Sequence, residues 1–100
     1  MDIAYLAGFW DGEGYVGWMS KGKDVKGRKL VVGLSQKDPS ILLWVMETYG
    51  GRIRLSKKGC HDWATSYKKA ERFLRDIYPY VRIRKDKIKK ALDKLTFDLF

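Results

Sequence analysis

The sequence predicts an α+β domain in the order α-β-β-α-β-β-α-α, with helices packed on one side of an antiparallel sheet. Three observations carry that prediction. Apolar residues recur at helical spacing in four stretches, and strand formers cluster or alternate in four others. Polar turns bearing glycine, at 21–27 and 57–59, join the strand candidates into two hairpins. No low-complexity stretch or linker interrupts the chain, so residues 1–100 read as one domain.

Each element has a local reason. From Ile3 to about Asp11, Ile3, Leu6 and Trp10 form one apolar stripe, and Gly12 and Gly14 are expected to end the helix. Residues 15–20 and 29–35 are strand candidates, and Leu30, Val32 and Leu34 alternate on one face. Asp38-Pro39 has the form of an N-cap followed by a first helical proline. Ile41, Leu42, Val45 and Met46 continue that helix, and Gly50-Gly51 is its expected left-handed stop. Residues 52–56 and 62–66 flank the turn Lys57-Lys58-Gly59. Ser66 is placed to cap a third helix through Phe73, Leu74 and Ile77, halted before Pro79. Ile88, Ala91, Leu92, Leu95 and Leu99 mark a final amphipathic helix. The sheet face away from the helices is left open to be polar or basic.

Composition narrows the function. The chain of 100 residues is 45% hydrophobic and 33% charged, a globular balance. One cysteine, Cys60, excludes a disulfide scaffold, and with a single histidine, His61, it excludes a zinc site built on paired cysteines. Neither residue is assigned a role. No apolar run approaches the roughly 20 residues that cross a bilayer, so no membrane is expected. Residues 1–20 contain no Lys or Arg, which argues against a basic leader. The expected location is intracellular, cytoplasmic or organellar, and not secreted. Net charge is +9, and all 21 basic residues lie after residue 20. The first 20 residues carry only Asp2, Asp11 and Glu13, so a small acidic patch sits in a basic protein. Such a charge balance points to a polyanion, nucleic acid first.

The informative segment is Tyr5-Leu6-Ala7-Gly8-Phe9-Trp10-Asp11-Gly12-Glu13-Gly14. Ala4, Gly8 and Gly12 recur every four residues on one helix face, where small side chains let two helix backbones approach. Glu13 follows directly. A packed pair of such helices brings two Glu13 carboxylates together, as oxygen ligands for a hard divalent cation. The residues alone leave a glycine-rich turn with an exposed acid as the alternative. An EF-hand loop counted from Asp11 fails, because Tyr15 and Val16 fall where a ligand and an obligatory glycine belong.

Residues 5–14 closely resemble the signature helix of the LAGLIDADG homing endonucleases, and the element order follows that family over essentially the whole chain. The motif occurs once, as in homodimeric members. The resemblance implies a saddle-shaped antiparallel sheet, double-stranded DNA as partner, and Mg²⁺ (or Mn²⁺) as cofactor, with no small-molecule cofactor. It implies Glu13 as metal ligand, with the Gly12 carbonyl also within reach of the metal. Asp11 matches the structural acid that holds the helix ends, and Gly8 and Gly12 match dimer-packing positions, so Ala4, Gly8, Asp11 and Gly12 are placed at the dimer interface. Gln36 matches a polar active-site residue, and Arg84 a basic residue beside the scissile phosphate.

In the family the outward sheet face lies in the DNA major groove. Arg52, Arg54 and Ser56 share that face, with Lys29 and, beyond the first strand, Lys21. Arginine can bond guanine bidentately, which makes Arg52 and Arg54 the best readers. Val31, Gly33, Gly17 and Met19 are poor hydrogen-bonding readers, so the face is sparse. Arg82, Arg84, Lys85, Lys87, Lys89, Lys90 and Lys94 form the densest basic cluster. Within it Arg82, Lys85, Lys87, Lys90 and Lys94 are read as phosphate contacts, with Lys87, Lys90 and Lys94 on one helix side. The four tryptophans are expected in the core or as dimer anchors. The function expected is a metal-dependent DNA endonuclease of the homing type, from an intron or intein context. The alternative is a non-catalytic nucleic-acid binder on the same fold, an intron maturase or a transcription regulator.

Overall fold

A computed structural model describes residues 2–56 and 58–98. The elements are α1 (Ile3–Glu13), β1 (Gly14–Ser20), β2 (Arg28–Gln36), α2 (Ser40–Tyr49), β3 (Arg52–Leu55), β4 (His61–Ser66), α3 (Tyr67–Ile77), a 3₁₀ turn (Tyr78–Tyr80) and α4 (Lys85–Asp98). The order is the one expected. Lys57 of the expected turn and Leu99 of the last apolar stripe lie outside the described residues.

Several boundaries differ, each for a physical reason. α1 does not stop at Asp11 but runs on through Gly12 to Glu13, with Gly14 as its C-cap. A side chain at Gly14 would overlap the Trp10 ring, so the chain turns straight from helix into β1 there with no loop. The N-cap of α1 is Asp2, whose carboxylate accepts from Ala4 N at 2.7 Å. α2 begins one residue after Pro39, yet Asp38 still accepts from Ser40 N at 2.9 Å. Gly50 follows α2 with φ 73° and ψ −155°, so it is positive in φ but not left-handed helical. Ser66 occupies the N-cap position of α3 without a side-chain cap bond.

The sheet order is β1-β2-β4-β3, antiparallel throughout. Its inner face carries Leu30, Val32, Leu34 and Trp63 against the helices, and Leu6, Trp10, Leu42, Phe73, Leu74, Ile77 and Ile88 complete the core. Trp63 and Phe73 lie 5.0 Å apart between centroids, and Trp63 donates to Gly50 O at 2.8 Å. Trp10 and Trp63 are core residues as expected. α4 lies on this same side, since the indole of Trp18 donates to Ala91 O at 3.3 Å. Burying a large apolar side chain contributes about 1.5–3 kcal/mol. That offsets the roughly 1 kcal/mol lost at each interior glycine of α1, so the fully buried Leu6 and Trp10 hold the helix despite Gly8 and Gly12. No helix among the described residues is long and apolar enough to cross a membrane.

Candidate active site and concave sheet face

The site is built outward from Trp10. Because that ring is fully buried, the next residue, Asp11, is carried into the protein at the end of α1. Its carboxylate accepts three successive backbone N–H groups: Arg82 at 2.8 Å, Ile83 at 2.9 Å and Arg84 at 2.8 Å. Successive amides turned the same way make a small anion nest. Burial pushes the Asp11 carboxyl up, but these donors and the Arg84 charge outweigh it and hold it below its ordinary 3.8. The result ties residues 82–84 to the end of the helix. Arg84 then turns its guanidinium back toward α1, with Nη2 3.5 Å from the Gly12 carbonyl.

Glu13, the last helical residue, is exposed and makes no ion pair among the described residues. Gln36 lies at the same end of the sheet: Leu34 faces Gly14 across the ladder, and Gln36 stands two residues further along β2. The structure therefore gathers Gly12, Glu13 and Arg84, and sets Gln36 on the neighbouring strand end. Glu13 and the Gly12 carbonyl are hard oxygen donors that suit a divalent cation such as Mg²⁺. They are too few to enclose one. No group of three or more His, Cys, Asp or Glu side chains gathers among the described residues.

Ala4, Gly8 and Gly12 all face out of the protein. A Cβ added at Gly8 or Gly12 would meet nothing within 4 Å among the described residues. Ala4 and Gly8 line an open depression of about 720 Å³ with Asp11, Pro79, Val81 and Arg82. Asp11 was expected at the face between two helices. Its carboxylate is engaged by backbone amides of its own chain.

The opposite side of the sheet is a concavity of about 1130 Å³, lined by Tyr15, Lys29, Arg52, Arg54 and Asp62 among others. Alternation and register place Arg52 beside Ala64 and Arg54 beside Asp62. Lys29 also reaches this face, with Nζ 5.8 Å from the Tyr67 ring centre. Val31 and Gly33 point outward as expected but are buried. The Tyr15 ring covers Gly33, where a Cβ would overlap it. Sequence reasoning missed Asp62 and Ser35 here. Ser35 Oγ donates to Asp62 Oδ1 at 2.6 Å across the β2–β4 ladder. Period-two alternation on β4 could have put Asp62 on this face, but not its partner, because no local signal sets the register between β2 and β4.

The other expected DNA contacts do not line this concavity, whereas Lys68 and Lys69, which the sequence did not single out, do. Ser56 lies past the end of β3, where its Oγ accepts from Cys60 N at 3.2 Å and closes the hairpin turn. Lys85 donates to Tyr78 O at 3.0 Å and lies over the Tyr78 ring. Lys94 lies over the Trp18 ring at 5.3 Å. Lys87 and Lys90 are exposed on α4, on the helical side of the sheet. Arg82 is exposed beside Asp11, and Lys21 is exposed in the β1–β2 turn.

This architecture, with its helix running straight into a four-stranded antiparallel sheet, is the LAGLIDADG homing endonuclease fold. Among solved structures, the chain is similar to the homing endonuclease I-CvuI in complex with the I-CreI DNA target: TM-score 0.77, 21% identity, 91% of this chain and 63% of that one. It is similar to the archaeal intron-encoded I-Vdi141I complexed with DNA, at TM-score 0.72 and 20% identity over 91% of this chain and 64% of that one. The LAGLIDADG meganuclease I-AabMI, bound to uncleaved DNA, aligns at TM-score 0.72 and 20% identity over 98% of this chain and 38% of that one. The chain thus spans less than two thirds of the length of these proteins. No protein-family model and no curated protein matches the sequence.

Proposed function

We propose that this chain is one subunit of a homodimeric, divalent-metal-dependent endonuclease acting on double-stranded DNA. The observation that carries the reading is the Asp11 anchor, which sets Arg84 beside the Gly12 carbonyl and the exposed Glu13 at the end of α1. In support, a side chain at either of two glycines of α1 would meet nothing within 4 Å among the described residues. Each glycine costs the helix roughly 1 kcal/mol, and close approach of a second helix backbone is a reason for small residues on that face. A second α1 on that face brings a second Glu13 alongside the first and completes an oxygen-ligand set that one chain leaves short.

In this reading Glu13 and the Gly12 carbonyl hold Mg²⁺ (or Mn²⁺). When bound, the ion supplies Lewis-acid polarisation of a phosphodiester oxygen. Arg84 stabilises charge that develops on the scissile phosphate. Gln36 orients the attacking water by hydrogen bonding. The concave face receives the duplex through Lys29, Arg52 and Arg54, while Lys21, Arg82, Lys87, Lys90 and Lys94 contact phosphates along its edges. Residues 1–100 act as one nuclease domain in an intracellular, DNA-containing compartment. I-CvuI and I-Vdi141I, whose structures hold DNA, support the choice of partner.

The test is incubation of the purified chain with supercoiled plasmids carrying randomised target segments, in Mg²⁺ and in EDTA. Metal-dependent linear product is expected. Tight DNA binding with no cutting in Mg²⁺ or Mn²⁺ would leave only a DNA-binding protein on this scaffold.

A further inference from the structure

The floor of the concave face contains a carboxylate with no ion pair among the described residues. Asp62 stands between Ser35 on β2 and Arg54 on β3, directly opposite both in register. Ser35 occupies Oδ1 at 2.6 Å, and Oδ2 has no partner among the described residues. Arg54 is the cross-strand neighbour, yet the pair forms no ion pair within 4 Å. A carboxylate has about four acceptor sites, so the Ser35 bond orients it and leaves most of its capacity unused. Tyr15 adjoins the pair: burial pushes its phenol up, the Asp62 charge adds to that, and Arg54 opposes it. Gly17, Val31, Gly33 and Ala64, on the same face, offer no side-chain hydrogen bonding.

A negative charge on a surface that receives a polyanion repels every phosphate near it. It becomes favourable only against a hydrogen-bond donor, and in a major groove the donors are exocyclic amino groups. Cytosine offers its amino group alone. Adenine sets an acceptor nitrogen beside its own, which a carboxylate disfavours. Resting on the reading of this face as a DNA-binding surface, we propose that Asp62 is a specificity-determining residue that accepts from the N4 amino group of cytosine, while Arg54 donates to the guanine of the same or the adjoining pair. The acceptor and donor side by side match the complementary donor and acceptor edges of a G·C pair. Ser35 is the positioning residue that fixes the carboxylate.

Binding is measured in Ca²⁺ by competitive selection from a randomised duplex library, so no cleavage is read. The intact chain is expected to prefer cytosine at one position of each half-site, by roughly 5- to 150-fold over the other bases. Asp62→Ala should weaken that preference severalfold, leaving only what Arg54 sustains through the guanine, while tightening binding to all other sequences. Asp62→Asn should move the preference to adenine, which an amide can bond bidentately. Ser35→Ala should reduce the preference without changing its base. If Asp62→Ala keeps the intact chain's degree of preference at every position, the assignment is wrong while DNA binding stands. If the intact chain binds no duplex at all, the reading of the face and the assignment fall together. A chain that binds selectively but never cuts leaves this inference in place and removes only the nuclease.

Discussion

Asp11 and Arg84 are joined twice over: the Asp11 carboxylate accepts the Arg84 backbone N–H at 2.8 Å, and the charge of the same arginine helps keep that carboxyl ionised. The arginine's head group is then left to reach Gly12. Backbone attachment, rather than a side-chain ion pair, sets where Arg84 sits.

This attachment makes Asp11 a pH-dependent clamp. Its carboxyl is held below its ordinary 3.8 in the folded protein. The stabilisation is therefore complete above that value and is lost as pH falls from it through the lower folded value. Asp11→Ala leaves three amides without an acceptor and should cost about 3 kcal/mol at pH 7. The variant should also lack the part of the acid destabilisation that Asp11 causes. Urea midpoints at pH 7 and pH 3 for both proteins check this. An equal loss of stability on acidification in the two would show that the carboxylate titrates alike folded and unfolded.

Glu13→Gln keeps the shape of the side chain and removes the charge that a divalent ion needs. Cleavage should disappear, while DNA binding in Ca²⁺ is kept or strengthened, because a carboxylate near phosphate is repulsive. Cutting at the unaltered rate would take Glu13 out of the metal site.

Arg84 and the lysines of α4 should separate by type of defect. Arg84→Ala is expected to lower single-turnover cleavage by on the order of 10²–10³ with little change in affinity. Lys87→Ala and Lys90→Ala should weaken binding on all sequences alike, and each should flatten the salt dependence by about one unit of slope. Lys94→Ala should do the same and also lose about 0.5–1 kcal/mol of stability through its contact with Trp18. Normal cleavage by saturating Arg84→Ala would make that residue one more phosphate contact.

Gly8→Leu should abolish dimerisation without unfolding the chain, because its side chain enters open space in one subunit. Sedimentation and circular dichroism together read this. An intact chain that sediments as a monomer at micromolar concentration, both free and on DNA, contradicts the helix-to-helix dimer.

Local chemistry was legible in the sequence, and long-range pairing was not. Apolar spacing gave every helix, and the Asp38 bond to Ser40 N was readable because it needs only neighbours, although Pro39 and not Asp38 occupies the N-cap position. The end of α1 was misread because Gly12 looks like a stop; the helix runs two residues further, to Glu13, with Gly14 packed against the Trp10 ring as its C-cap. The segment Tyr5–Gly14 pointed to Glu13 and Asp11, yet nothing local says that Asp11 bonds amides some seventy residues away. Ser35 and Asp62 stayed invisible for the same reason. Lys85 and Lys94 read as free positive charges because a run of basic residues does not reveal which aromatic rings lie beneath it.

The central seam of the sheet, where Val31 faces Ser66 and Gln36 faces His61, also governs how the chain reaches its native state. Either hairpin can close locally within microseconds. Joining them requires the whole intervening stretch, with α2 and β3, to be looped back, and that entropy is lost before the new pairing returns anything. The barrier to folding should therefore lie at this seam. Shortening Trp63 or Val32 should slow refolding, whereas weakening the β1–β2 turn should mainly hasten unfolding. Stopped-flow denaturant series on such variants would locate the barrier, and a dominant effect of the first turn on the refolding limb would place it elsewhere.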